Sequence, residues 1–237
     1  MIGHVSKLLK WVLTYALVLA LAACSAEPES GQEASERLSK NGEAFKTYSE
    51  LVIGYSQIGA ESEWRTGNTA SIQEAAAELG VELIFSDAQQ KPENQIKAIR
   101  TFIAQQVDII GVSPLVETGW DSVFQEAKDA GIPVILVDRR ALVSEDLYAT
   151  YLGSDFLEEG RNAGRIMVDL LGGKGNIVEL VGTEGSAPAI DRFAGFREIL
   201  KDYPEMNIMA SKSGDFTRAL GEGCCTLQMR INREAMA

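Results

Sequence analysis

The apolar positions of this chain follow two alternating rhythms. Residues 51–55 (LVIGY), 81–85 (VELIF), 108–112 (DIIGV) and 133–137 (PVILV) are short, dense runs rich in β-branched residues. That is the pattern of strands covered on both faces in a parallel sheet. Between them, apolar residues return every three or four positions: Ile72, Ala75, Ala76 and Leu79, then Ile96, Ile99, Ile103 and Val107, then Trp120, Val123, Phe124 and Ala127. Each set predicts one buried helix face. Gly80 and Gly131 stand where two of these helices must stop, and Pro92 stands at a first helical turn, where its missing N–H costs nothing. Alternating strands and helices of this length form right-handed βαβ units, so one Rossmann-like lobe of parallel strands is expected.

A further strand is expected over residues 147–153, closing a first lobe at 51–153. Ser154 or Asp155 then caps a helix, with Glu158 placed for a capping box and Ala163, Ile166, Met167, Leu170 and Leu171 as its buried stripe. Gly172, Gly173 and Gly175 break that helix; they lack the spacing of a phosphate loop and follow a helix where such a loop would precede one. Residues 176–181 predict another strand, Ile190, Phe193, Phe196 and Leu200 another inward helix face, and residues 207–210 a short strand. From Ala219 the pattern fails. The fold expected is α/β, with a complete first lobe and an incomplete second lobe at 154–218. Two strands and two helices would leave half a core, so a truncated chain with an aberrant tail at 219–237 is expected, from a frame disrupted after Arg218 or, alternatively, as a naturally short variant.

The chain's beginning has a different character. Lys7 and Lys10 precede an apolar run from Trp11 to Ala23, too short to span a bilayer comfortably and suited to a signal peptide at 1–23. It ends in Leu21-Ala22-Ala23-Cys24, which resembles the lipobox of bacterial lipoproteins. The resemblance implies lipid attachment at Cys24, with the domain tethered at the outer face of the cytoplasmic membrane or in the periplasm. Residues 24–50, rich in Ser, Glu, Gly and Ala, read as a flexible linker.

Losing 1–23 removes two of 22 basic residues and none of the 34 acidic ones, moving the net charge from −12 to −14. Such a surface repels nucleic acid and anionic lipid. His4, the one histidine, goes too, so no histidine-based triad or metal site can be assembled. Cys224 and Cys225 are adjacent and cannot easily form an unstrained disulfide with each other.

The charged residues that remain of interest lie where strands end. Asp138 and Arg139 follow the run 133–137, and the carboxyl ends of parallel strands are where open α/β sheets bind ligands. A carboxylate beside a five-donor guanidinium suits hydroxyls that both give and take hydrogen bonds. Together with Ser62-Glu63-Trp64-Arg65, Ile190-Asp191-Arg192 and Gly214-Asp215-Phe216-Thr217-Arg218, these segments resemble the type I periplasmic sugar-binding proteins. Within the ribose- and galactose-binding family the likeness is greatest to galactofuranose-binding members. It extends through residues 90–108, 113–120, 137–139, 189–192 and 213–218.

The resemblance implies a monomeric, lipid-anchored protein that closes two lobes on a monosaccharide and delivers it to an ABC permease. It implies Trp64 against the sugar's C–H face, Arg65, Asp138, Arg139 and Arg192 on its hydroxyls, and Phe216 on the opposite face, with weaker help from Ser62 and Glu63. No cofactor or metal is implied. With part of the second lobe absent, capture is expected to be impaired. A sensor that presents its sugar to a receptor kinase or chemoreceptor is the alternative. An enzyme is not expected, since neither an activated nucleophile nor a pair of free carboxylates stands out.

Overall fold

A computed structural model describes residues 45–223. The leader, Cys24, Cys224, Cys225, most of the 24–50 linker and most of the 219–237 tail lie outside the described residues. Among those described, no helix is long and apolar enough to cross a membrane.

The first sheet has five parallel strands: β1 (Val52–Gln57), β2 (Glu82–Asp87), β3 (Ile109–Val112), β4 (Val134–Val137) and β5 (Thr150–Leu152), in the order β2-β1-β3-β4-β5. Helices α1 (Glu63–Leu79), α2 (Pro92–Ala104) and α3 (Asp121–Asp129) make the crossovers. Ile99, Phe102, Ile110, Val112, Trp120, Phe124 and Leu136 build the core between α2, α3 and the sheet. Two glycines set its fit: a Cβ at Gly54 would overlap the Phe102 ring, and one at Gly111 would overlap Tyr55. Strand order reverses at the β1/β3 boundary, so the loops after the two strands diverge and leave a crevice at their carboxyl ends.

The second unit of structure contains α4 (Phe156–Leu171), β6 (Gly175–Val181), α5 (Ala187–Leu200) and β7 (Met206–Ser213), with β6 and β7 paired in parallel as a two-stranded sheet. α4 and α5 meet through glycines. A Cβ at Gly160 would collide with the Arg192 carbonyl, and one at Gly195 with the Leu157 carbonyl, so the two backbones lie closer than any side chain allows. The associated core is small: Ile177, Leu200 and Met206 are buried, with Met167, Val168, Phe196, Tyr203 and Ile208 packed against them.

Several sequence expectations are corrected here. Strand β5 is shorter than 147–153, because Leu147 belongs to a 3-10 turn at Glu145–Leu147. The stripe expected on α4 is not its buried face: Ile166, Leu170 and Leu171 are exposed, and Phe156, Gly160 and Gly164 are buried against α5 instead. On α5, Ile190 and Phe193 are exposed while Leu200 is buried. On α1, Leu79 is exposed and the helix buries little beyond Arg65. Amphipathic periodicity reports the cover a helix is suited to: for α4 and α5 the two described strands β6 and β7 cover less than a full sheet does, and α1 packs on β2, the edge strand of the first sheet. The capping box is also only half formed, since Asp155 accepts from the Glu158 N–H while the Glu158 carboxylate turns to Arg161 and Arg165.

Candidate functional site

The site begins with how β1 ends. Gln57, buried at its end, fixes the exit of the chain: its amide donates to Asn68 Oδ1 and Thr69 Oγ1 while its carbonyl accepts from the Ile58 N–H. The chain then turns through Glu61 to Ser62, whose hydroxyl accepts from the Arg65 N–H and starts α1. This places Trp64 on the lip, 57% exposed, and sends Arg65 inward, 2% exposed.

β4 ends in a comparable device. Asp138 has φ of +66°, a left-handed conformation uncommon outside glycine, and its N–H donates to the Leu152 carbonyl. This reversal stops the strand and turns Asp138 and Arg139 toward Arg65. Arg65 Nη2 donates to Asp138 Oδ2 at 2.8 Å and Arg65 Nε to Glu61 Oε1 at 3.2 Å. Arg139 Nη1 donates to the Leu115 carbonyl, and its Nε stands 3.8 Å from Asp138. Burial, reinforced by the nearby Arg65, pulls the Arg139 guanidinium down to about 10, which leaves it charged at neutral pH.

Beneath these groups runs a buried polar lattice. Gln95 donates to the Ser113 carbonyl and accepts from the Leu115 N–H, holding the loop that Arg139 bonds. Ser113 hydrogen-bonds the Tyr55 hydroxyl and donates to the Val137 carbonyl, while Tyr151 donates to the Asp138 carbonyl. Burial pushes the Tyr55 phenol up, keeping it a neutral member of this lattice.

The second sheet closes the opposite side. After β7, Asp215 and Phe216 both adopt left-handed backbone (φ +50° and +55°), and the Phe216 ring lies where a Cβ on Gly182 would otherwise be. The Arg139 guanidinium lies 5.1 Å from the Phe216 ring centre. Arg192 of α5 pairs with Glu159 of α4 at 2.7 Å and stacks 4.6 Å from the Phe156 ring.

Trp64, Arg65, Asp138, Arg139, Arg192 and Phe216, the six residues singled out from sequence, therefore line one cleft of about 340 Å³. Ser62 lines it too. Glu63 does not, being turned outward toward Arg218. Sequence reasoning missed Glu61, Ser154, Phe156, Glu159 and Pro188, which complete the wall. Nothing local to Glu159 distinguishes it in the sequence; its pairing with Arg192 arises from the α4–α5 contact.

Outside the cleft, Arg140 clasps the two sides. It reaches Asp191 at 2.6 Å and Glu117 at 3.2 Å, while the Glu117 N–H donates to the Gly185 carbonyl. Burial pushes the Glu117 carboxyl above its ordinary value despite the Arg140 charge. Among the described residues, no group of three or more His, Cys, Asp or Glu side chains is arranged to hold a metal ion.

Residues 53–221 match the periplasmic binding protein domain family. The chain belongs to that family. Periplasmic binding proteins similar to it include the galactofuranose-binding protein YtfQ of Escherichia coli (strain K12), 48% identical over 174 residues that cover 73% of this chain and 55% of YtfQ. Among solved structures, the periplasmic binding protein component of the arabinose ABC transporter from Shewanella sp. ANA-3, bound to α- and β-L-arabinofuranose, is 47% identical with a TM-score of 0.74, covering 77% of this chain and 61% of that one. A Mycobacterium smegmatis structure in complex with β-D-fucofuranose is 51% identical with a TM-score of 0.73, covering 76% and 60%. The chain thus spans little more than half the length of these periplasmic binding proteins, and its second sheet is correspondingly incomplete.

Proposed function

We propose that this chain is the ligand-capturing part of an extracytoplasmic sugar-binding protein that serves an ABC importer. Its ligand is a monosaccharide of the furanose kind named in its relatives. The observation that carries this reading is the cleft itself, where aromatic rings on two sides enclose a set of arginines and carboxylates at the ends of parallel strands. Flat rings suit a sugar's C–H faces, and charged donors and acceptors suit its hydroxyls. In this reading Trp64 and Phe216 hold the ring, Arg65, Asp138, Arg139 and Arg192 bond its oxygens, and the two lobes are residues 51–153 and 154–218. Lipid on Cys24 tethers a monomer at the membrane beside the permease. Its chemistry is capture and release, so no residue is assigned a catalytic role.

With two strands described in the second lobe, capture by this chain alone is expected to be weak. Saturation-transfer NMR, which detects weak complexes, is therefore the test, using L-arabinose, D-galactose and D-fucose. Enhancement of sugar ring protons that disappears in Trp64→Ala is expected. No enhancement with any of the three sugars would overturn the sugar reading.

A further inference from the structure

A chain that passes from one sheet to the next only once can swing at that crossing. Among the described residues the crossing is the link from β5 to α4, at residues 153–155. A second attachment stands apart from it, with Glu117 as its node. The Glu117 N–H donates to the Gly185 carbonyl, in the loop before α5, at 2.8 Å. The Glu117 carbonyl instead accepts from the Leu142 N–H, in the loop after β4, at 2.6 Å. Its carboxylate shares Arg140 Nη2 with Asp191 of α5, at 3.2 Å and 2.6 Å. Glu117, Arg140, Gly185 and Asp191 all lie outside the lining of the cleft.

The sharing decides how much this attachment is worth. An ion pair open to water contributes little, and the Arg140 side chain is half-exposed. The two carboxylates are not: the Glu117 and Asp191 side chains are 13% and 18% exposed, and one guanidinium neutralises both. Without it, two poorly hydrated like charges would face each other across the seam.

We propose that Glu117, Arg140 and Asp191 form a latch that holds the two sides of the cleft together whether or not the cleft is occupied. Because the latch residues are not part of the lining, a ligand neither makes nor breaks their contacts. Opening has to part Arg140 from Asp191 and Glu117 from Gly185. The latch thereby supplies a closing bias of its own, added to any that a ligand brings, and sets how often the cleft opens.

Two amides read this directly. The acceptor of the Glu117 N–H lies across the seam, whereas the Leu142 N–H and its acceptor lie on the same side. Amide hydrogen exchange of the full chain, followed by NMR without sugar, therefore separates parting of the sides from loosening of a loop. In Arg140→Ala the Glu117 amide is expected to exchange about tenfold or more faster, with Leu142 little changed. Arg140→Asp combined with Asp191→Arg again sets one guanidinium between two carboxylates and is expected to slow the Glu117 amide. Unchanged Glu117 exchange in Arg140→Ala, equal acceleration of Glu117 and Leu142, or a charge-exchanged protein as fast as Arg140→Ala overturns the latch. A matching acceleration in β1, β3 and β4 reports lost stability of the whole chain and overturns it as well. No sugar takes part, so these outcomes stand apart from the sugar-binding reading.

Discussion

Arg65 is the residue on which the cleft depends. One buried guanidinium neutralises Glu61 from its own loop and Asp138 from 73 positions further along, so it joins the exits of β1 and β4. Removing it strands two carboxylates in a confined space, a situation that typically costs about 3–5 kcal/mol. Arg65→Ala is therefore expected to lower unfolding stability by about that amount in urea denaturation. Arg65→Lys should recover only part, since an ammonium lacks the fork that reaches both partners. Strand-end charge made Asp138 and Arg139 legible in the sequence as ligand candidates. Glu61 was not legible, because a carboxylate in the five-residue loop between β1 and α1 reads as solvated until the fold shows it inside.

At the scale of elements, the first sheet was readable nearly strand by strand, since the dense apolar runs of β1, β3 and β4 are largely buried and that of β2, at the sheet edge, is half-buried. The helices were less so. Ile166, Leu170 and Phe193 recur at helical spacing, yet α4 and α5 bury glycines against each other instead, because close backbone approach needs an absent side chain and a hydrophobic stripe cannot report it. That contact also positions Arg192, whose carbonyl abuts Gly160. Gly195→Ala must push α5 away from the Leu157 carbonyl, at an overpacking cost of about 1–3 kcal/mol. Hydrogen exchange should then show faster exchange along α4, α5, β6 and β7 and little change in β1, β3 and β4. Uniform acceleration throughout the chain would show that the two sheets unfold as one unit.

For the whole molecule, the Arg140 clasp ties the sides of the cleft together through groups that no binding reading requires. Glu117 there has its pKa raised from 4.5 by burial, so the folded chain holds that proton more readily than the unfolded one. The stability it contributes is complete below the ordinary carboxylate value and is lost as pH rises through the raised one. Glu117→Gln should remove this dependence, giving a melting temperature that declines less than the wild type's across mildly acidic pH. A wild-type slope retained in the variant would place the titration elsewhere.

Among the described residues, the pairing of β6 with β7 leaves one side of that small sheet uncovered, with Val178, Leu180 and Met209 exposed. An apolar plane beside strand edges that no described strand pairs invites self-contact. Concentration thereby becomes a variable of this fold: dilute chains keep the plane wet, and crowded ones have reason to hide it against each other.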